Sequence, residues 1–418
     1  MTTNHDVIVI GGGLAGLTAG AAATAGGAST VVLEAHRPGG RARTTEKDGF
    51  VFNHGAHALY TGGAGMTVLR DLGVRPRGTA PPVRRYRVLV DGEQHLLPSG
   101  PATLLRTTCL GARDKAQFGK LLALLPRLDA GTLAGRSAGD WLRDHDLRPP
   151  AEALVRALLR LATYAADLDE LGADAAVGQL QSAARSGVMY VDDGWSQLID
   201  ALHAKVEVRP GAAARRVESD RGGVTVHTDD GALTARATVL APGAPDALRA
   251  LLPDDPGWGD LGEPVTAACL DVGVRRVPDP GYVLGVDEPL YGTTQSPPAR
   301  QTAAGDGAVV GVIRYGARTA EQDRPQLEAH LGQVGVSEDD VVVRRFLARM
   351  VVAGALPRAA TGGLPGRPGI TATGLPNVFA AGDWIGPEGL LADAALASGQ
   401  AAGLAALRAI DASPTMVA

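Results

Sequence analysis

Gly11, Gly13 and Gly16 stand in G-x-G-x-x-G spacing, directly after the apolar run Val7–Ile10 and at the head of a small-residue stretch. Glycines so placed permit a tight turn, let backbone N–H groups approach a pyrophosphate, and let a helix pack closely on the preceding strand. Leu14 and Ala15 would open that helix, where unpaired N–H groups and the dipole favour an anion. A second apolar strand, Thr30–Leu33, ends at Glu34, with Ala35 beside it. A carboxylate there can accept hydrogen bonds from an adenosine ribose. Strand, helix, strand and acid come in order, so Asp6–Glu34 reads as dinucleotide-binding. Val7–Ala25 has no charged residue, which would also suit a signal peptide or membrane helix. Both are excluded by the lack of Lys or Arg in Thr2–Asp6, by five interrupting glycines, and by the change from strand to helix period.

A second glycine turn follows at Gly39-Gly40. Arg41 and Arg43 place cations beside it, and arginine pairs bidentately with phosphate oxygens. Far downstream, Gly374–Trp384 reads as a buried strand ending in Gly382-Asp383, and Gly389–Gly403 as a helix. No Ser/His/Asp arrangement competes for chemistry. His36, His54 and His57 lack an acidic partner, so no metal site is expected.

The motif pair G-x-G-x-x-G…E and R-x-G-G-R-x-x-T, here Arg37–Thr44, resembles the FAD-binding region of the flavin amine oxidase and phytoene desaturase superfamily. Gly49–Tyr60 (GFVFNHGAHALY) resembles a stretch that runs beneath the flavin in phytoene-dehydrogenase-related proteins, and Gly374–Asp383 resembles that family's third cofactor motif. The resemblance implies that Gly55, Ala56 and His57 lie near the isoalloxazine. It implies that backbone around Ala214 meets the adenine and that Asp383 binds the ribityl chain and helps seat the pyrophosphate. Gly389, Leu390 and Leu391 would aim a helix N-terminus at the flavin N1–C2=O edge, where a positive dipole end favours the reduced anion. His57 has a side chain that titrates near working pH, but hydride transfer needs no histidine, so it reads first as a hydrogen-bonding group.

The expected fold is α/β: a Rossmann-like, glutathione-reductase-like FAD-binding domain from residues 1–75, 190–255 and 365–418. Residues 76–189 and 256–364 would form an α+β substrate-binding domain with a mixed sheet and a helical insertion at about 100–187. Its elements read as a hairpin over Val83–Leu97, helices over Asp114–Leu128, Ser137–His145, Ala151–Tyr164, Asp174–Ser186 and Glu321–Gly335, and strands over Pro264–Val274, Val283–Val286, Ala308–Tyr315 and Val341–Met350. In the first domain, Leu233–Ala235 reads as half of a hairpin and Thr238–Ala241 as a separate strand. Phe118–Leu128 is apolar but short for a span, so it reads as a core helix, with peripheral membrane contact the only membrane role open.

The 418 residues are 45% hydrophobic with a net charge of −5, and charges of both signs are spread along the chain, which gives no case for nucleic acid or an anionic membrane. The two cysteines, Cys109 and Cys269, form no C-x-x-C and neither lies near the last cofactor motif. Noncovalent FAD and a cytoplasmic location are therefore expected. No second G-x-G-x-x-G calls for NAD(P). The expected activity is a dehydrogenase, desaturase or oxidase passing hydride from a small apolar substrate to flavin N5. Amine or amino-acid oxidation is the alternative, and a non-catalytic lipid-binding escort protein a remote one. No lysine follows Lys205, so the lysine-held water of several amine oxidases is missing, and Arg314, Tyr315 and Arg349 are the polar candidates in its place.

Overall fold

The computed structural model describes residues 4–55, 58–220, 223–302 and 307–412. Its first seven-stranded sheet has five parallel strands in the order Glu207–Pro210, Thr30–Glu34, Asn4–Ile10, Gly231–Leu240, Val378–Ala380. Val7–Ile10 and Val31–Leu33 are buried on both faces: Val7, Val9 and Val32 pack on the helices Leu14–Ala25 and Leu391–Ala412, and Ile8, Ile10, Val31 and Leu33 on Val217, Val224, Val226 and Trp384. Gly231–Leu240 is one continuous strand where the sequence suggested two. Its first half pairs antiparallel with Gly223–Thr228, and its second half parallel with Asn4–Ile10 and Val378–Ala380.

The helices Leu14–Ala25 and Leu391–Ala412 cross on this sheet at their small residues. A Cβ on Gly399 would lie 2.4 Å from the Ala15 carbonyl oxygen, and one on Gly403 2.4 Å from that of Ala19. The glycines at these two positions thus set the approach of the two helices.

The second seven-stranded sheet runs Val341–Ala353, Val265–Val274, Ala308–Tyr315, Leu290–Ser296, Tyr282–Gly285, Arg87–Val90, Glu93–Leu96. One face packs Leu270, Val310 and Val312 on Leu327 and Leu331 of the helix Ala320–Gln333. The other packs Cys269, Tyr291, Ile313 and Tyr315 in one core with the helices Ala112–Leu124, Pro149–Thr163 and Ala173–Ser186. The expected helix through Leu128 ends at Leu124, and a 3-10 turn with Pro126 at its centre follows. Phe118, Leu121 and Leu125 are buried, so this segment is a core element, and among the described residues no helix is long and apolar enough to cross a membrane. Val83–Arg85, expected as strand, is a 3-10 turn. The short strand Val188–Val191, unforeseen, joins Ala58–Tyr60 and Gly78–Thr79 in a third sheet.

Candidate functional site

Both glycine turns, Glu34 and Gly382-Asp383 lie at the C-terminal ends of the parallel strands, where open α/β sheets bind ligands. Ile10 leads to Gly11, which has φ +104° and donates its N–H to the Leu33 carbonyl at 2.8 Å. A Cβ on Gly11 would stand 2.2 Å from the Ala241 carbonyl oxygen, and one on Gly16 1.9 Å from that of Gly11. These two glycines close the turn. Gly13 differs: it precedes a helix whose N-terminus has no side-chain cap, and a Cβ there would meet no atom within 4 Å. Uncapped N–H groups over open space fit a pyrophosphate.

Glu34 accepts the Gly12 N–H at 2.6 Å through Oε2 and the His36 N–H at 2.8 Å through Oε1. Each carboxylate oxygen keeps a lone pair for a ribose hydroxyl. The Glu34 carbonyl takes the Ala212 N–H at 3.0 Å, which brings the start of the strand Ala214–Asp220 to this end, while Ala35 is exposed beside it. The second glycine turn is fastened to the first by Gly39 N–H to Gly12 C=O at 2.7 Å, and a Cβ on Gly40 would lie 3.6 Å from Gly13 Cα.

Arg41 departs from expectation. Its guanidinium fork holds not open space for phosphate but Asp383, at 2.7 and 2.8 Å, and it also donates to the Val352 carbonyl at 3.0 Å. The bidentate geometry that suits phosphate suits a carboxylate equally. Asp383 is buried and also accepts the Gly354 N–H at 3.1 Å. Gly55 packs against this arginine, its would-be Cβ 2.8 Å from the Arg41 carbonyl oxygen. Ala56 and His57 lie outside the described residues.

The sequence reading missed Arg367. It donates to the Asp383 carbonyl at 3.0 Å and to the Gly389 carbonyl at 2.8 Å, tying the end of one cofactor motif to the start of the last helix. Burial lowers its guanidinium to about 10 against the pull of Asp383 and Asp174. Gly382 is held by Ser398, whose Oγ accepts its N–H at 3.0 Å, and Trp384 donates to the Gly243 carbonyl at 2.8 Å. Leu391 has φ +56°, a left-handed conformation leucine rarely adopts and of a kind that clusters at ligand sites. Two residues on, Asp393 accepts the Gly65 N–H at 2.9 Å, and burial raises its carboxyl to about 6. Neither Arg367 nor Asp393 sits in a spacing that signals its role.

Arg314 and Tyr315 do not reach the site together. Side chains alternate across a strand, so they take opposite faces of the second sheet. Arg314 faces the helix Ala320–Gln333 and is spent on Asp323 at 3.3 Å, on Gln326, and on the Tyr315 and Gly316 carbonyls. Tyr315 is 1% exposed, edge-on to Tyr164 at 5.5 Å, with its hydroxyl unpartnered, behind the cavity wall and outside the cavity lining. Arg349 is exposed, with Glu263 3.9 Å away. Among the described residues no cluster of ligating side chains could hold a metal.

A cavity of about 1700 Å³ adjoins this end of the molecule. Its lining extends from Leu391, at the head of the last helix, past Leu158, Leu161 and Leu180 to the exposed Arg84 and Arg106. Among the described residues, Arg84, Arg87 and Arg106 are the charged ones in the lining. The volume exceeds the roughly 300–1,000 Å³ of pockets for drug-sized ligands.

The family model described as flavin containing amine oxidoreductase matches residues 14–268. Similar solved structures include putrescine oxidase with putrescine bound, 18% identical, covering 98% of this chain and 100% of that one with a TM-score of 0.73. Cyclohexylamine oxidase from Brevibacterium oxydans is 17% identical over 98% and 100% of the chains, with a TM-score of 0.74. A putative protoporphyrinogen oxidase from Exiguobacterium sp. is 17% identical over 98% and 99%, with a TM-score of 0.67. No curated protein matches the sequence.

Proposed function

Since the chain belongs to the flavin-containing amine oxidoreductase family, and is thus an FAD-dependent oxidoreductase, we propose that it dehydrogenates or desaturates an apolar organic molecule held in the 1700 Å³ cavity. The observation that carries this reading is the composition of the cavity that reaches Leu391: it is rich in leucine, alanine and tyrosine, with no Asp, Glu, Lys or His in the lining among the described residues. Bound FAD supplies the two-electron acceptor. Uncapped N–H groups at Leu14 and Ala15 and the two glycine turns would hold the pyrophosphate, Glu34 the ribose, and the start of the helix at Leu390–Leu391 the far end of the ring. Ala214 backbone would lie against the adenine. Arg41 and Arg367 keep Asp383 and Gly389 in place, so they position the site without contacting substrate. The cavity walls orient the substrate and exclude water; His57 is the candidate to take the accompanying proton.

Residues 1–75, 190–255 and 365–418 would act as the cofactor unit, and 76–189 with 256–364 as the substrate unit. Cys109 and Cys269 are free thiols away from the last motif, which supports noncovalent FAD and a reducing, cytoplasmic setting. A peripheral membrane contact has support at the cavity mouth. Val83, Leu105 and Leu124 are exposed there, and residues 83–127 carry eight Lys and Arg against three Asp and Glu in a chain of net charge −5.

The test is purification and a visible spectrum, followed by anaerobic reduction. A yellow protein whose flavin is released by denaturation and bleached by apolar alkenes or alcohols is expected. A colourless protein that takes up no FAD would end the cofactor assignment, and bleaching by amines with peroxide formation would move the substrate to the amine class.

A further inference from the structure

The chain has seven tyrosines, and three of them from distant segments bring their hydroxyls together in the cavity wall. Tyr86 follows the 3-10 turn Val83–Arg85, Tyr190 lies in the strand Val188–Val191, and Tyr291 in the strand Leu290–Ser296. Tyr291 Oη is 3.2 Å from Tyr86 Oη, Tyr86 Oη is 3.4 Å from Tyr190 Oη, and Tyr190 Oη is 3.4 Å from Tyr291 Oη. Thr293 Oγ1 joins them, 2.9 Å from Tyr190 Oη. The Tyr86 ring is braced by Tyr282, which stacks on it at 4.6 Å between centroids.

Hydroxyl pairs prefer separations of about 2.7–2.8 Å. The three phenol contacts, at 3.2–3.4 Å, are long, so the trio does not satisfy itself. Each of these residues is at most 6% exposed, and all line the cavity. Burying three phenols and a threonine hydroxyl at partial strength is costly where apolar residues would fill the wall without penalty. An oxygen atom placed among them would accept from the phenols at ordinary hydrogen-bond length, and a hydroxyl would also donate in return. Burial pushes the Tyr86 and Tyr291 phenols well above their ordinary range, so both remain neutral donors. Among the described residues no carboxylate stands in the lining to pair with a buried ammonium, and of its three arginines Arg84 and Arg106 are exposed and Arg87 is half-buried.

We propose that Tyr86, Tyr190, Tyr291 and Thr293 form a receptor for a neutral hydroxyl or carbonyl oxygen, and that the substrate is an extended apolar molecule carrying one such oxygen. This rests on reading the cavity as the substrate site. It adds to that reading the polar end by which the molecule is registered.

The test is displacement of the neutral dye Nile red from the holoprotein by a matched ten-carbon series: 1-decene, 1-decanol, 2-decanone, decylamine and decanoate. The alcohol and ketone should bind about tenfold more tightly than the alkene, the scale of one or two net hydrogen bonds. Tyr190→Phe and Tyr291→Phe together should bring that ratio below about threefold, with alkene binding and flavin absorbance unchanged. Thr293→Val removes a hydroxyl at equal shape and should lower the ratio alone, so a double variant that unfolds still leaves a readout. Equal binding of alkene and alcohol, an undiminished ratio in the variants, or preference for the amine or carboxylate would each overturn the proposal. Alcohol preference in a protein without flavin would fail the cofactor assignment and keep this one; a yellow protein without preference would do the reverse.

Discussion

The proposed cofactor edge of the first sheet and the proposed tyrosine receptor of the cavity wall would hold their ligands by opposite means. The edge presents main chain: N–H groups at a helix start, glycines that make room for them, and one carboxylate, Glu34, braced by two backbone donors at 2.6 and 2.8 Å. The wall presents side chains, three phenols and a threonine that meet only because two sheets bring residues 86, 190 and 291 together. Backbone positions recognise what is common to every dinucleotide. Side-chain positions can be exchanged one at a time, so they are where a shared fold acquires its own substrate.

The largest effect that would break this contrast is at Gly13. Its absent Cβ faces open space and its φ is −79°, which any residue adopts. Gly13→Val should therefore fold with an unchanged apoprotein melting temperature yet lose FAD affinity at least 100-fold, measured by flavin-to-protein ratio after reconstitution. Retained FAD would mean that the pyrophosphate lies elsewhere.

Asp393 comes next, with the opposite sign. Its carboxyl, raised to about 6 from an ordinary 3.8, keeps a proton in the folded state between about pH 4 and 6 that the unfolded chain has lost. Stability therefore falls as pH rises through that window, by about 3 kcal/mol when complete. Asp393→Asn, which still accepts the Gly65 N–H, should remove that cost: more stable than the parent at pH 7 and equal to it below about pH 4 in urea titrations. Parallel pH profiles would refute the assignment.

Glu34→Ala should weaken FAD by roughly 1.5–3 kcal/mol, since it removes a charge-assisted acceptor and loosens Gly12. Isothermal titration of apoprotein with FAD measures this, and unchanged affinity would place the ribose on other groups. The smallest effect is expected at Arg314, which sits on the wrong face of its sheet for chemistry. Arg314→Lys should change turnover per bound flavin by less than about twofold while lowering thermal stability. A large loss of turnover at equal flavin content would return this arginine to the active site.

The same contrast explains what could be read from the residues. A turn that needs positive φ and close approach admits few residue types, so Gly11, Gly16 and Gly39 mark it from within a few positions of sequence. Ala308–Tyr315 was visible as an apolar run between breaks. Leu290–Ser296 was not, because Thr-Thr-Gln-Ser reads as loop until its neighbours bury it. Polarity alone singled out Arg314, whereas alternation along its strand turns it toward Asp323 and Gln326 of the helix Ala320–Gln333. Arg41 carried the right geometry for an anion but met Asp383, a partner 342 positions away that no local spacing announces. Arg367 and the tyrosine trio depend on the same long-range assembly.

The placement of Val378–Ala380 beside Gly231–Leu240 has a consequence for how the molecule comes into being. While the polypeptide is being made, the strand at 231–240 has an unpaired edge, and the surface of the helix Leu14–Ala25 that meets Gly399 and Gly403 is bare, until more than 130 further residues have emerged. Such an interval favours slow closure and invites pairing with other chains. A nascent chain stalled before Val378 should therefore be a client for chaperones, and flavin should be captured as one of the last events of biogenesis.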